Sequence, residues 1–496
     1  MENYNSRARE IRRRKRRRRV IRNRIIFGCV LILLVVGIVF LVKWLSGGSS
    51  DTGNTSTPAA SEANASGGST EGNTDNGSEV GTTAEAAGSW QAVLAEADIH
   101  CKQYNYDKAI ELIKGVSGYE GIPELADAIS RYEAEKAKAV PYDKMSEITH
   151  VFYHTLVIDG SVTFHLSDKN KVRDYNQVMT TIDEFNKITQ EMYDRGFVLV
   201  DIHDIAHLEK QADGTEKMVW GTIYLPEGKT PFVLSQDDVS YYEYMEGDGF
   251  ANRLVIDENG GITNEIDQPD GSVVTGSYDM VPLIEDFIRE HPDFSYRGAR
   301  GIIALTGYNG ILGYRTAPKY GDPSDSSYKP EYAKYNVEEE RQKATAVAAR
   351  MKELGWQFAS HSWGHKDYGA LSFDKFKTDA QKWEDQVEPL LGGNVDTIIF
   401  PFGADLGEGS WRGYDHSDSI RQKYQHLDGL GFDYYCPVDG AQYWTQMKDG
   451  YFRQGRRNLD GIRMWWAVSG YKDTLSDLFD SNKVFDKTRP TPVENL

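Results

Sequence analysis

From Pro141 onward the chain alternates short apolar runs with amphipathic helical stretches, and this rhythm limits the fold more than any other feature. The runs are "ITHVFYHTLV", "FVLVDI", "FVLS", "GIIALTG", "WQFAS", "DTIIF" and "FDYYC". Among the intervening stretches, "DYNQVMTTIDEFNKITQEMYDRGF" puts Val178, Ile182, Phe185, Ile188 and Met192 on one helical face before Gly196 stops it. Further helices are expected near 279–290, 337–353, 373–391 and 417–428. Strands separated by helices pair in parallel, so the spacing predicts an α/β fold, either a barrel or a doubly wound sheet covered by helices. In both, functional groups collect at the C-terminal ends of strands. Residues 241–278 break the rhythm: "RLVIDENGGITNEI" reads as a hairpin around Asn259 and Gly260, an insertion placed to wall a site.

The N-terminal part obeys different chemistry. Residues 1–24 form a basic tail, and 25–45 an apolar stretch of about the minimum length for a transmembrane helix. The basic flank sets a cytoplasmic N-terminus, which leaves everything beyond the span extracytoplasmic. The apolar run exceeds the h-region of a cleaved signal peptide, and no small-residue cleavage site follows closely. Residues 47–88 are Gly, Ser, Thr, Asn and Ala with few large apolar side chains, and read as a disordered linker. Residues 89–140 are expected to form a short helical hairpin, its second helix starting at Pro123. It serves as a spacer or packing element, or alternatively binds a protein partner.

Residues 1–46 hold 13 of the 56 Lys and Arg but only 2 of the 75 Asp and Glu, so the remainder is strongly acidic. That surface repels polyanions and excludes nucleic acid as a partner class. Three cysteines, Cys29, Cys101 and Cys436, make no disulfide framework; Cys29 lies in the apolar span, and a Cys101 to Cys436 bridge is the one pairing left.

Three expected strand ends carry unusual groups: "SQDD" ends in Asp237 and Asp238, "HSWGH" holds His361 and His365, and "PFG" holds Phe402. Adjacent carboxylates repel unless a cation or proton separates them. Two imidazoles four residues apart share a face of a helical turn, which suits two corners of one metal site. Each element has a plain structural use as well: Asp-Asp caps helices, paired histidines pack, and Pro-Phe-Gly turns.

Taken in order, these segments resemble the polysaccharide deacetylases of carbohydrate esterase family 4, the NodB-homology domain. "VFYHTL" resembles the family's opening strand, "SQDD" its first motif, "HSWGH" its second and "IIFPFG" its third. The resemblance covers about 147–470, with 471–496 a C-terminal tail, and implies an irregular (β/α)7 barrel. It implies Asp237 as catalytic base, Asp238, His361 and His365 as ligands of a divalent metal, most often zinc, otherwise cobalt, manganese or nickel, and the Phe402 amide as oxyanion donor. The implied reaction is removal of acetyl groups from a polysaccharide such as peptidoglycan or poly-N-acetylglucosamine. A glycan-binding wall scaffold and an O-acetyl esterase are the alternatives.

Two family features are absent. The third-motif arginine position is occupied by Ile399, so the bond to the catalytic aspartate is missing or comes from elsewhere, with Arg457 in "GRRNLDG" a candidate. No histidine follows His426, so the resemblance assigns no acid for the leaving group; His154, in the opening strand, and Asp460 are candidates, with packing in the barrel core as the plain alternative for His154. Asp248, Arg253 and Trp363 are candidate sugar contacts, with solvated turn positions as the plain alternative for the first two.

Overall fold

All seven apolar runs form strands in the computed structural model, which describes residues 83–268 and 270–494. With three later strands they build one sheet: β1 (Thr149–Tyr153), β2 (Phe197–Leu199), β3 (Thr230–Gln236), β4 (Ile302–Leu305), β5 (Gln357–Ser360), β6 (Thr397–Ile399), β7 (Tyr434–Cys436), β8 (Thr445–Lys448), β9 (Tyr451–Gln454) and β10 (Arg456–Asn458). The order is β8-β9-β7-β6-β5-β4-β3-β1-β10, with β2 beside the first half of β3. Every pairing is parallel except that of β8 with β9. The sheet curls into a half-barrel, and a bridge links Val438, just past β7, to Arg456 of the edge strand β10.

Side-chain alternation sorts the sheet into two cores. Val233, Ile302, Ala304, Ala359, Ile399 and Cys436 share one buried cluster. Their neighbours Leu234, Ile303, Leu305, Phe358, Ile398 and Tyr435 belong to another. That second cluster packs against helices α4 (Ile182–Asp194), α5 (Met280–Glu290), α6 (Val337–Leu354), α7 (Phe373–Gln386), α8 (Asp418–Leu430) and α9 (Gly461–Val468). The insertion is a three-stranded antiparallel sheet of Arg253–Ile256, Ile262–Asp267 and Val273–Gly276; its first turn contains Gly260 at φ +78°.

Val93–Leu496 belong to one compact unit. The expected transmembrane helix and most of the linker lie outside the described residues, and among those described no helix is long and apolar enough to cross a membrane. The expected hairpin is three helices, α1 (Thr83–Lys102), α2 (Tyr106–Lys114) and α3 (Pro123–Lys136), because Tyr104 takes a left-handed conformation (φ +62°) that ends the first. It is docked rather than a free spacer. The Tyr104 ring stacks on Tyr296, its hydroxyl donates to the Asp293 carbonyl, and the Arg297 N–H donates to Gln103.

Two sequence expectations need correction. Residues 471–496 are not an appended tail: Leu475, Leu478, Phe479, Val484, Phe485 and Val493 are buried in the core that faces the helices. Arg489 anchors this segment, its guanidinium fully buried against Glu184 of α4 and donating also to the carbonyls of Asn176 and Met179. Cys101 and Cys436 are free thiols, so no disulfide joins the helical segment to the sheet.

Candidate active site

Asp237 and Asp238 follow β3 directly, at its C-terminal end. The Asp237 N–H donates to the Tyr153 carbonyl and so extends the ladder with β1, whereas Asp238 turns to φ +62°. Ser362, His365 and Phe402 share that conformation, with φ of +58°, +51° and +60°. Positive φ costs a non-glycine residue of order 1–3 kcal/mol, and such strain persists where surrounding contacts impose it. Four such residues fall on the three strand ends that the sequence singled out.

The imposing contacts are visible. In the loop after β5, the Trp363 and Gly364 N–H groups both donate to the Asp379 carboxylate on α7, which also accepts from the Tyr368 hydroxyl. The Lys366 N–H donates to Ser362 Oγ. This ties "HSWGH" into a tight turn that carries His361 and His365 on one side, with ring centroids 5.1 Å apart.

Asp238, His361 and His365 each present one ligand atom, all within 4.8 Å of one another. His361 Nε2 stands 3.9 Å from Asp238 Oδ1, and His365 Nε2 3.5 Å from Asp238 Oδ2. These separations are long for direct hydrogen bonds and suit donors arranged around a shared cation. The His361 Nδ1 bonds the Ile399 carbonyl at 2.9 Å, which leaves Nε2 directed at Asp238, the usual orientation device for a metal-binding imidazole. Two nitrogens and one carboxylate oxygen match the donor set of a zinc-type site that keeps further positions open.

Asp237 is buried beside this triad and held by Arg456, not by Arg457 as the sequence suggested. Both guanidinium arms of Arg456 donate to it, at 2.7 and 2.9 Å. Consecutive residues of β10 point to opposite faces. Arg457 therefore faces outward and pairs with Asp477, at 2.7 and 2.8 Å. Burial pushes the Asp237 carboxyl up, but Arg456 and then His361 outweigh it and hold it below the usual carboxylate range. Asp238 follows the same logic: burial raises it, and His365 and His361 pull it down further than that. Burial pushes the His361 imidazole down, toward the neutral form that binds metal.

β10 carries too few apolar residues for the sequence to mark it as a strand, which leaves Arg456 without a sequence signal. Arg456, Arg457 and Asn458 are all polar, so no apolar alternation marks the strand or tells its two faces apart.

His154 is half-buried just past β1, its ring 5.9 Å from Phe152. The Phe402 ring is 72% exposed and stands edge-on to His365 at 4.5 Å. Asp460 caps α9, accepting from the Arg463 N–H, and pairs with the Arg463 guanidinium.

The candidate sugar contacts have intrachain partners. The Asp248 carboxylate accepts from Tyr175 and Lys171, and Arg253 pairs with Glu265 across the inserted sheet. The Trp363 indole donates to Gln386 beneath the Lys382 ammonium, and its ring fills the space a Cβ at Gly307 would need. Short side chains within reach of complementary neighbours explain the first, ladder register the second, and the turn that presents the two histidines the third.

Residues 327–422, the stretch that holds His361, His365 and Phe402, match the family model described as polysaccharide deacetylase. No match is found among curated proteins. Among solved structures the chain is similar to the Streptococcus pyogenes deacetylase PplD in complex with acetate, with 12% identity and a TM-score of 0.33 over 66% of this chain and 95% of that one.

Proposed function

We propose that the protein is a metal-dependent hydrolase that removes acetyl groups from the N-acetylated sugars of a cell-wall or surface polysaccharide, on an irregular (β/α)7 barrel. The carrying observation is the pairing of a convergent Asp238, His361 and His365 triad with a second, separately held carboxylate, Asp237. The match of 327–422 to polysaccharide deacetylases supports the same reading.

In this reading Asp238, His361 and His365 hold the divalent ion, zinc by their donor set, with cobalt, manganese or nickel as substitutes. A bound ion of this kind supplies Lewis acidity for the acetyl carbonyl and for water. Asp237 takes the proton of the attacking water, and Arg456 keeps it ionised and aimed. The Phe402 amide, carried on a turn beside His365, donates to the oxygen that gains charge. His154 gives its proton to the departing sugar nitrogen, so amide hydrolysis yields acetate and a free amine. The proposal also takes residues 25–45 as a single-pass anchor with the catalytic body outside the membrane; a stalk at 47–88 then concentrates the enzyme on nearby polymer.

The deciding experiment is acetate release by the metal-loaded protein from peptidoglycan, chitin oligomers and poly-N-acetylglucosamine. Release that disappears in Asp237→Asn supports the proposal. Glycan binding without release identifies a scaffold, and release confined to acetylated xylan identifies an esterase; either result overturns it.

A further inference from the structure

Beyond the triad, the segment following Asp238 builds an aromatic wall. The Tyr242 hydroxyl donates to Asp238 Oδ1 and lies 3.0 Å from Thr306 Oγ1. Its ring is stacked with Tyr244 at 5.3 Å and 11°, and with Tyr308 at 5.4 Å and 24°. Tyr242 is buried, but Tyr244 is 52% exposed.

An exposed ring on a mobile loop would carry little meaning; this one is fixed from both sides. Glu243 accepts from the Tyr320 and Tyr332 hydroxyls, and Met245 is buried in an apolar cluster with Tyr242. Lys171 Nζ holds the Tyr244 carbonyl at 2.5 Å. Tyr308 is positioned separately, its N–H donating to the carbonyl of Trp363 between the two histidines. A large apolar face held rigid and left to solvent beside a polar site is suited to ligand contact. Tyr244 lies outside the stretch that matches the deacetylase family.

Pyranose rings present C–H groups on one face, which pack on aromatic rings, and hydroxyls at their rim, which need polar partners. Tyr244, half exposed and stacked on the ring whose hydroxyl reaches Asp238, supplies aromatic surface with a hydroxyl tip. We propose that Tyr244, backed by Tyr242 and Tyr308, is the stacking platform for an N-acetylhexosamine unit of the substrate chain and selects glycan over small acetyl compounds. This rests on the deacetylase reading for the identity of the sugar.

The test compares the full chain with Tyr244→Ala and Tyr244→Trp on a short N-acetylglucosamine oligosaccharide and on 4-nitrophenyl acetate, which lacks a pyranose. In Tyr244→Ala the ratio of kcat/KM on oligosaccharide to that on ester falls about tenfold, mainly through KM, while Tyr244→Trp stays within about twofold. An unchanged ratio in Tyr244→Ala overturns the platform. Should the wild-type protein release no acetate from either compound, the deacetylase reading fails by itself, and oligosaccharide affinity decides the platform. Binding weakened about tenfold by Tyr244→Ala upholds it, and equal or undetectable binding by wild type and variant overturns it.

Discussion

Arg456 grips both carboxylate oxygens of Asp237 in a two-pronged ion pair, from inside the sheet where neither side chain meets bulk water. Removing one partner strands the other as a buried charge. Arg456→Met is expected to cost about 3–5 kcal/mol of stability and to abolish turnover. Arg456→Lys keeps the charge but not the fork, and should recover stability in urea unfolding better than it recovers kcat. Equal unfolding midpoints for wild type and Arg456→Met would contradict the pairing.

Metal binding separates the triad from Asp237. Titration calorimetry with zinc should show saturable uptake by wild type and Asp237→Asn, and none by Asp238→Ala or His361→Ala. Chelation should lower Tm in the first two proteins alone, since an ion that binds only the folded state stabilises it by mass action.

Asp379 fixes the turn that presents His361 and His365 without itself joining the triad. Asp379→Ala should weaken zinc affinity by about 10–100-fold with the fold intact by circular dichroism. Burial pushes this carboxyl up, against the bonds from Trp363, Tyr368 and Gly364, so the site is already held at some cost.

The C-terminal segment carries a second buried ion pair. Arg489→Ala leaves Glu184 buried without its partner and should destabilise by about 3–5 kcal/mol in urea. A chain ending at residue 470 loses Leu478, Phe479 and Val484 from the core and should fail to fold, as judged by loss of the near-ultraviolet circular dichroism signal.

His203 bridges Asp201 and Asp396, at 2.7 and 3.1 Å. Burial lowers its pKa, but Asp396 and Asp201 outweigh that and hold it well above the ordinary value. A raised folded pKa adds stability that is complete below the unfolded value of about 6.5 and is lost as pH climbs through the folded one. The Tm deficit of His203→Gln should therefore be larger at about pH 6 than at about pH 10. A deficit that grows with pH would show that the bridge is not ionic.

How much of this was legible depends on which physical signal each residue leaves in one dimension. Apolar runs alternating with amphipathic helices determined the parallel sheet, because burial on both faces demands contiguous apolar residues and leaves a pattern anyone can count. "SQDD", "HSWGH" and "PFG" marked the strand ends that meet, since their chemistry is unusual wherever it falls. Strand register decided the rest. Arg456 and Arg457 are chemically identical neighbours, and only the pairing of β10 with β1 sends one to Asp237 and the other to Asp477. Asp379, Tyr242 and Arg489 lie between 4 and 313 residues from the groups they bind. The sequence by itself determined which elements form and which groups could act; tertiary structure decided which of them meet, because a contact energy depends on distance in space while the chain records only distance along itself.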